Sequence, residues 1–117
     1  MRLHHVNIAV HPDLLEAEMG FLAGCLGLSR LDPGPELAER ARWYEFPDGS
    51  QVHLSRTTDP ISTRPGHIAL DVGDALDEID QRLVAAGLSP QRQQGREPAV
   101  SLVSDPAGHL WELRAPD

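Results

Sequence analysis

The sequence predicts an α+β fold built from two copies of one βαβββ module, and three observations predict it. His5-Val6-Asn7-Ile8-Ala9-Val10 near the start returns as His67-Ile68-Ala69-Leu70-Asp71-Val72, with the second histidine 62 residues after the first. Pro47-Asp48-Gly49-Ser50-Gln51-Val52-His53-Leu54 returns as Pro106-Ala107-Gly108-His109-Leu110-Trp111-Glu112-Leu113, where Gly49 maps on Gly108 and His53 on Glu112, both 59 residues apart. Between these paired strands each copy carries one apolar stripe at helical spacing.

In the first copy, Leu3 to Val10 alternates as a strand with Val6, Ile8 and Val10 on one face and His5, Asn7 and Ala9 on the other. His4 has the opposite parity to His5 and is expected outside or packed. His11-Pro12-Asp13 breaks the strand and opens a helix with Asp13 as its expected cap. Leu15, Met19, Leu22 and Leu26 form the helix stripe, and Gly27 is placed to end it. Leu28 to Leu31 is a short strand, and Asp32-Pro33-Gly34-Pro35 a loop. Ala41 to Phe46 and Gln51 to Arg56 form a hairpin around Pro47-Asp48-Gly49. In its second strand Val52 and Leu54 oppose Gln51, His53 and Ser55. Whether Tyr44 or the pair Trp43 and Glu45 shares the face of His53 depends on a glycine bulge at the turn, and the sequence leaves both open.

Residues 57–65 hold two prolines and no period, so they link the copies. The second copy opens with the strand Gly66 to Val72, in which His67, Ala69 and Asp71 oppose Ile68, Leu70 and Val72. Asp74 is the expected cap of a helix with Asp77 and Glu78 in its first turn and a buried stripe of Leu76, Ile79 and Leu83 up to Gly87. An edge strand within Ser89 to Glu97, a strand from Ala99 to Ser104, the turn Asp105-Pro106-Ala107-Gly108 and a last strand from Leu110 to Ala115 complete it. The expectation is one domain, 1–117, made of repeats 1–58 and 66–117. Their curved mixed sheets would form a trough with the helices outside.

Composition narrows the function classes. With 40% apolar and 24% charged residues the chain has the make-up of a globular domain. Its 18 acidic against 10 basic residues give a net charge of −8, which repels a phosphate backbone and makes nucleic acid a poor partner. No apolar run approaches the roughly 20 residues of a membrane span and the first residues lack a signal-peptide core, so a cytoplasmic protein is expected. The one cysteine, Cys25, lies in the helical pattern and reads as a small buried hydrophobe.

Four positions are left with chemistry: His5, His53, His67 and Glu112, one on the first and one on the last strand of each copy. A lone strand histidine is ordinarily structural. Symmetric mates on matching faces make metal ligation the stronger expectation for His5, His67 and Glu112, while His53 is balanced between ligation and lining the cavity. Arg42, Arg56, Arg92, Arg96 and Arg114 are possible anion contacts, each with solvated surface charge as the default.

Leu3-His4-His5-Val6, Gly66-His67-Ile68-Ala69-Leu70 and Ser104-Asp105-Pro106-Ala107-Gly108 through Trp111-Glu112-Leu113 resemble the vicinal oxygen chelate superfamily. That superfamily includes glyoxalase I, extradiol dioxygenases, fosfomycin-resistance thiol transferases and bleomycin-binding proteins. The likeness runs over nearly the whole chain and is closest in pattern to glyoxalase I, although a carboxylate is common there at the position of His53. It implies a divalent metal (Zn, Ni, Fe, Mn or Co) held by His5, His53, His67 and Glu112. It also implies a small-molecule substrate, a homodimer, and a lyase or isomerase that chelates two substrate oxygens and stabilises an enediolate, with Glu112 as the base. The rival is a metal-free drug-binding protein of the bleomycin-resistance type, which the acidic charge suits and five aromatic residues do not. A small extradiol-type dioxygenase ranks lower for want of a further acid-base histidine, and a fosfomycin thiol transferase because Gln91 to Pro98 does not look like its polar substrate loop.

Overall fold

The computed structural model describes residues 1–62 and 65–116, so residues 63 and 64 of the expected linker and Asp117 lie outside the described residues. The chain divides into two compact units, Met1–Pro60 and Ile61–Asp117. Among the described residues each unit runs strand, helix and three strands, the βαβββ order of the repeat.

In the first unit β1 (His5–Val10), β2 (Ser29–Arg30), β3 (Arg42–Glu45) and β4 (Gln51–Arg56) form a mixed sheet in the order β1-β4-β3-β2. β1 lies parallel to β4, and β3 antiparallel to it. Alternation follows the sequence pattern: Ile8, Val10, Tyr44, Val52 and Leu54 are buried, while His5, Asn7 and His53 take the opposite face. The hairpin settles the open register. Phe46 N donates to Ser50 O (2.8 Å) and Gly49 takes a φ of 87°, so a three-residue connection places Trp43 directly across from His53 and sends Tyr44 into the core.

The helix between β1 and β2 is less regular than its stripe predicts. It begins as a 3-10 turn (Pro12–Leu14), becomes α1 (Leu15–Gly20) and ends in a π-helical turn (Phe21–Cys25). The buried side chains are Glu18, Phe21, Leu22 and Cys25, whereas Leu15, Met19 and Leu26 are only half-buried, so the inward face is turned away from the expected stripe. In the π turn Leu26 N reaches back five residues to Phe21 O (3.0 Å). The cap also differs. His11 Nδ1 accepts from Asp13 N (3.1 Å), so the expected cap Asp13 is the capped residue. Gly27, at φ 75°, ends the helix as expected.

In the second unit β5 (Ile68–Asp71), β6 (Gln91–Arg92), β7 (Val100–Ser104) and β8 (Leu110–Arg114) repeat the plan in the order β5-β8-β7-β6, with β5 parallel to β8. α2 (Leu76–Ala85) buries Leu76, Ile79 and Leu83, the predicted stripe, but its N-cap is Ala75 and not Asp74. α2 lies on the Ser101 side of the sheet. Ser101 Oγ donates to Asp80 (2.8 Å), and Arg92 on the edge strand donates to Asp77 and Asp80 (2.8 Å each). Arg92 is therefore a helix-to-sheet tie. Trp111 and Leu113 share the helix side and are fully buried, which leaves Glu112 on the face the helix does not cover.

Candidate functional site

The second unit supplies its pair from β8 and from the residue just ahead of β5. β5 and β8 are parallel with Ala69 opposite Glu112, so His67, two residues before Ala69, lies on the face of Glu112. His67 Nδ1 is 3.2 Å from the carbonyl of Pro65. A carbonyl only accepts, so Nδ1 carries a proton, and in the neutral ring it is Nε2 that has the lone pair. That bare nitrogen faces Glu112 Oε1 at 3.8 Å, too long for a hydrogen bond. Two electron-pair donors thus look at each other across a gap that an ion bonded at ~2 Å to each would fill. The other carboxylate oxygen, Oε2, accepts from Arg114 Nη1 at 3.4 Å, which leaves Oε1 to the histidine.

The first unit supplies rings. His53 lies between Trp43, at 4.5 Å and 15° between planes, and His5, at 4.0 Å and 12°. His53 Nε2 donates to Gln51 Oε1 (2.8 Å). Burial, and then the neighbouring His5 and His4, hold the His53 pKa below the ordinary imidazole value, so the ring favours its neutral form. His4, expected outside or packed, is exposed, and its Nδ1 is 2.9 Å from His5 Nδ1. That contact occupies one nitrogen of His5, and in the tautomer in which His5 Nδ1 donates, Nε2 keeps its lone pair.

All four expected positions therefore occupy the uncovered face of their own sheet, two in each unit. Neither unit gathers three His, Cys, Asp or Glu side chains into a metal-holding group among the described residues. Supporting partners that sequence reasoning missed are His4, Gln51, Trp43 and the Pro65 carbonyl. Only Trp43 carried a signal, through the undecided hairpin register.

The sequence model of the Glyoxalase/Bleomycin resistance protein/Dioxygenase superfamily matches residues 2–113. The chain belongs to this superfamily. No curated protein sequence matches it. Among solved structures of the same fold, a glyoxalase family protein from Bacillus anthracis is 22% identical with a TM-score of 0.81, covering 100% of this chain and 96% of that one. A variant of the fosfomycin resistance protein FosX from Listeria monocytogenes, in complex with Mn(II) and 1S,2S-dihydroxypropylphosphonic acid, is 18% identical with a TM-score of 0.79, covering 99% and 90%. The oxidase ChaP-H2 is 25% identical with a TM-score of 0.75, covering 100% and 94%. No helix among the described residues of this superfamily member is long and apolar enough to cross a membrane.

A groove of 540 Å³ in the second unit is lined by Leu88, Gln91, Gln93, Leu102, Ser104 and Leu110 among others. Leu102 is the cross-strand partner of Glu112, and Leu110 precedes Glu112 by two residues on the same face. The residues that line the groove carry no charged side chain.

Proposed function

We propose that the chain is a metal-dependent lyase or isomerase of the glyoxalase I type, acting on a small oxygenated substrate. The observation that carries this is the lone pair of His67 Nε2 set 3.8 Å from Glu112 Oε1, each backed by its own partner, Pro65 O and Arg114. Ligating histidines commonly donate their other ring nitrogen to a carbonyl in this way. With His5 as a third donor, two imidazoles and one carboxylate suit zinc, nickel, iron, manganese or cobalt, and fewer protein ligands than three would be unusual for a catalytic site of this kind. His5 would come from the first half of the same chain or of a second copy in a homodimer.

A divalent ion held by His67, Glu112 and His5 would supply Lewis acidity toward the negative charge that develops on the substrate oxygens. Glu112 takes a proton from the carbon beside those oxygens and returns it to the neighbouring carbon. Arg114 holds the second carboxylate oxygen so that the first stays aimed. The uncharged groove beyond Leu102 takes the apolar arm of the substrate and excludes water there.

The test is metal analysis of purified protein before and after reconstitution, then assay with hemithioacetals, 2-oxoacid thioesters and catechols. The expected result is stoichiometric metal and hemithioacetal isomerisation, abolished in His67→Ala and Glu112→Gln with the fold unchanged. Absence of metal even after reconstitution overturns the enzyme in favour of a metal-free small-molecule binder, a role that the net charge of −8 and the stacked rings of Trp43 and His53 would suit. Ring cleavage of a catechol would instead make it a small dioxygenase.

A further inference from the structure

We infer, on the metal reading above, that His53 is a stacking wall that fixes the His5 ring and is not itself a ligand. An imidazole binds an ion along a nitrogen lone pair, so the ion lies near the plane of the ring, ~2 Å from the nitrogen. His5 and His53 are stacked with their centroids 4.0 Å apart and their planes 12° from parallel. Stacked, near-parallel planes share no point close to both rings, so one ion cannot lie in plane with the two histidines as they stand. One ring would have to turn out of the stack.

His53 is the worse placed to turn. It is packed on both faces, by His5 and by Trp43 at 4.5 Å. Its Nε2 also gives its proton to Gln51 Oε1 at 2.8 Å, so the nitrogen farther from the backbone is already committed as a donor. His5 is the better ligand on both counts. One of its faces rests on His53, and with its Nδ1 donating to His4 Nδ1 across 2.9 Å its Nε2 keeps the lone pair that an ion needs. The column Trp43, His53, His5 is thus a platform whose last ring is the ligand, and His53 is a positioning residue that keeps it from swinging.

A planar ring at position 53 should therefore serve whether or not it has nitrogens, which separates the two roles. In His53→Phe the wall is kept and the donor atoms are lost, whereas in His53→Ala both go. Zn(II) affinity, measured by competition with a chromophoric chelator, should stay within about threefold of the parent in His53→Phe and fall roughly tenfold in His53→Ala, the scale of losing an outer partner of a ligand. Equal, large losses in both variants overturn the inference, because position 53 would then act through a nitrogen. The metal-free proteins give a second readout. Stacking shifts the His5 ring protons upfield in the NMR spectrum, and that shift should persist in His53→Phe and vanish in His53→Ala. If the parent protein takes up no Zn(II), the metal reading fails by itself. The ring-proton shift then still decides whether His53 sets the His5 ring, and an identical shift in all three proteins refutes it.

Discussion

At single residues, the most exposed parts of the fold still carry readable electrostatics. Asp48 Oδ1 accepts from Ser50 N (2.9 Å) and from Ser50 Oγ (2.6 Å), and these bonds, side chain first, hold its carboxyl below the ordinary aspartate value of 3.8. A carboxyl depressed in the folded state binds fewer protons than in the unfolded chain. Its contribution to stability is full above the unfolded value and lost as pH falls through the folded one. Asp48→Asn keeps the acceptor oxygen and removes the charge. The stability gap between parent and Asp48→Asn, measured by urea denaturation, should be flat above about pH 5 and shrink below about pH 4. A gap that widens in acid would refute the assignment. Arg114 poses a different question, because its bond to Glu112 Oε2 at 3.4 Å is long and partly exposed. Its value lies in orientation more than in stability. Arg114→Met should leave the melting temperature within a degree or two, about the effect of a surface ion pair, yet weaken metal affinity roughly tenfold.

At the level of elements, the two hairpins show how one repeat was solved twice. Gly49 and Gly108 have φ values of 87° and 98° and close the same three-residue connection. The backbone N–H at its exit is satisfied by Asp48 in one copy (Ser50 N, 2.9 Å) and by Asp105 in the other (His109 N, 2.9 Å). Asp105 does more, because its Oδ2 also accepts from Trp111 Nε1 at 2.8 Å, and both residues are buried. Asp105→Ala would strand two donors next to the strand that carries Glu112. It should cost about 3 kcal/mol by chemical denaturation, while Asp105→Asn, whose one oxygen can accept from only one of the two donors, should cost less but not nothing. A cost for Asp105→Asn as large as that for Asp105→Ala would mean that keeping one of the two acceptors recovers nothing. These turns also show what the sequence made legible. Period-two alternation placed His5, His53 and Glu112 on the uncovered faces of their sheets because strand geometry leaves no other option, and carried one residue ahead of β5 it put His67 on the face of Glu112, as their 3.8 Å approach shows. The apolar pattern missed the inward face of the first helix, because the buried set Glu18, Phe21, Leu22 and Cys25 keeps the same helical spacing but is turned round the helix and includes a polar residue that an apolar stripe does not count. The stacking of His53 was not legible at all, since ring rotation about χ angles leaves no trace in residue spacing.

For the whole molecule, the repeat sets a stoichiometry. On the proposed function, the described residues of each chain offer two donor pairs, His5 with His53 and His67 with Glu112. If each pair held its own ion the protein would take two ions per chain, and if the pairs cooperate it would take one. Two side chains seldom suffice for a divalent transition metal, and the stacked rings of the first pair cannot share an ion in plane. One ion per chain is therefore expected by elemental analysis, and two would refute the shared site. Because binding to the folded state alone stabilises it by mass action, metal at a hundredfold over its dissociation constant should add about 2.7 kcal/mol. That gain should disappear in Glu112→Gln. The same stoichiometry holds whether His5 comes from its own chain or from a second copy, and mixing variants separates the two. In a homodimer with exchanged halves, His5→Ala combined with His67→Ala creates one intact site in each mixed dimer. About a quarter of the parental metal capacity and activity would then return. With each site inside one chain, every site carries a lesion and mixing restores nothing. Recovery therefore depends on which chain completes the site, because both variants keep every other ligand in place.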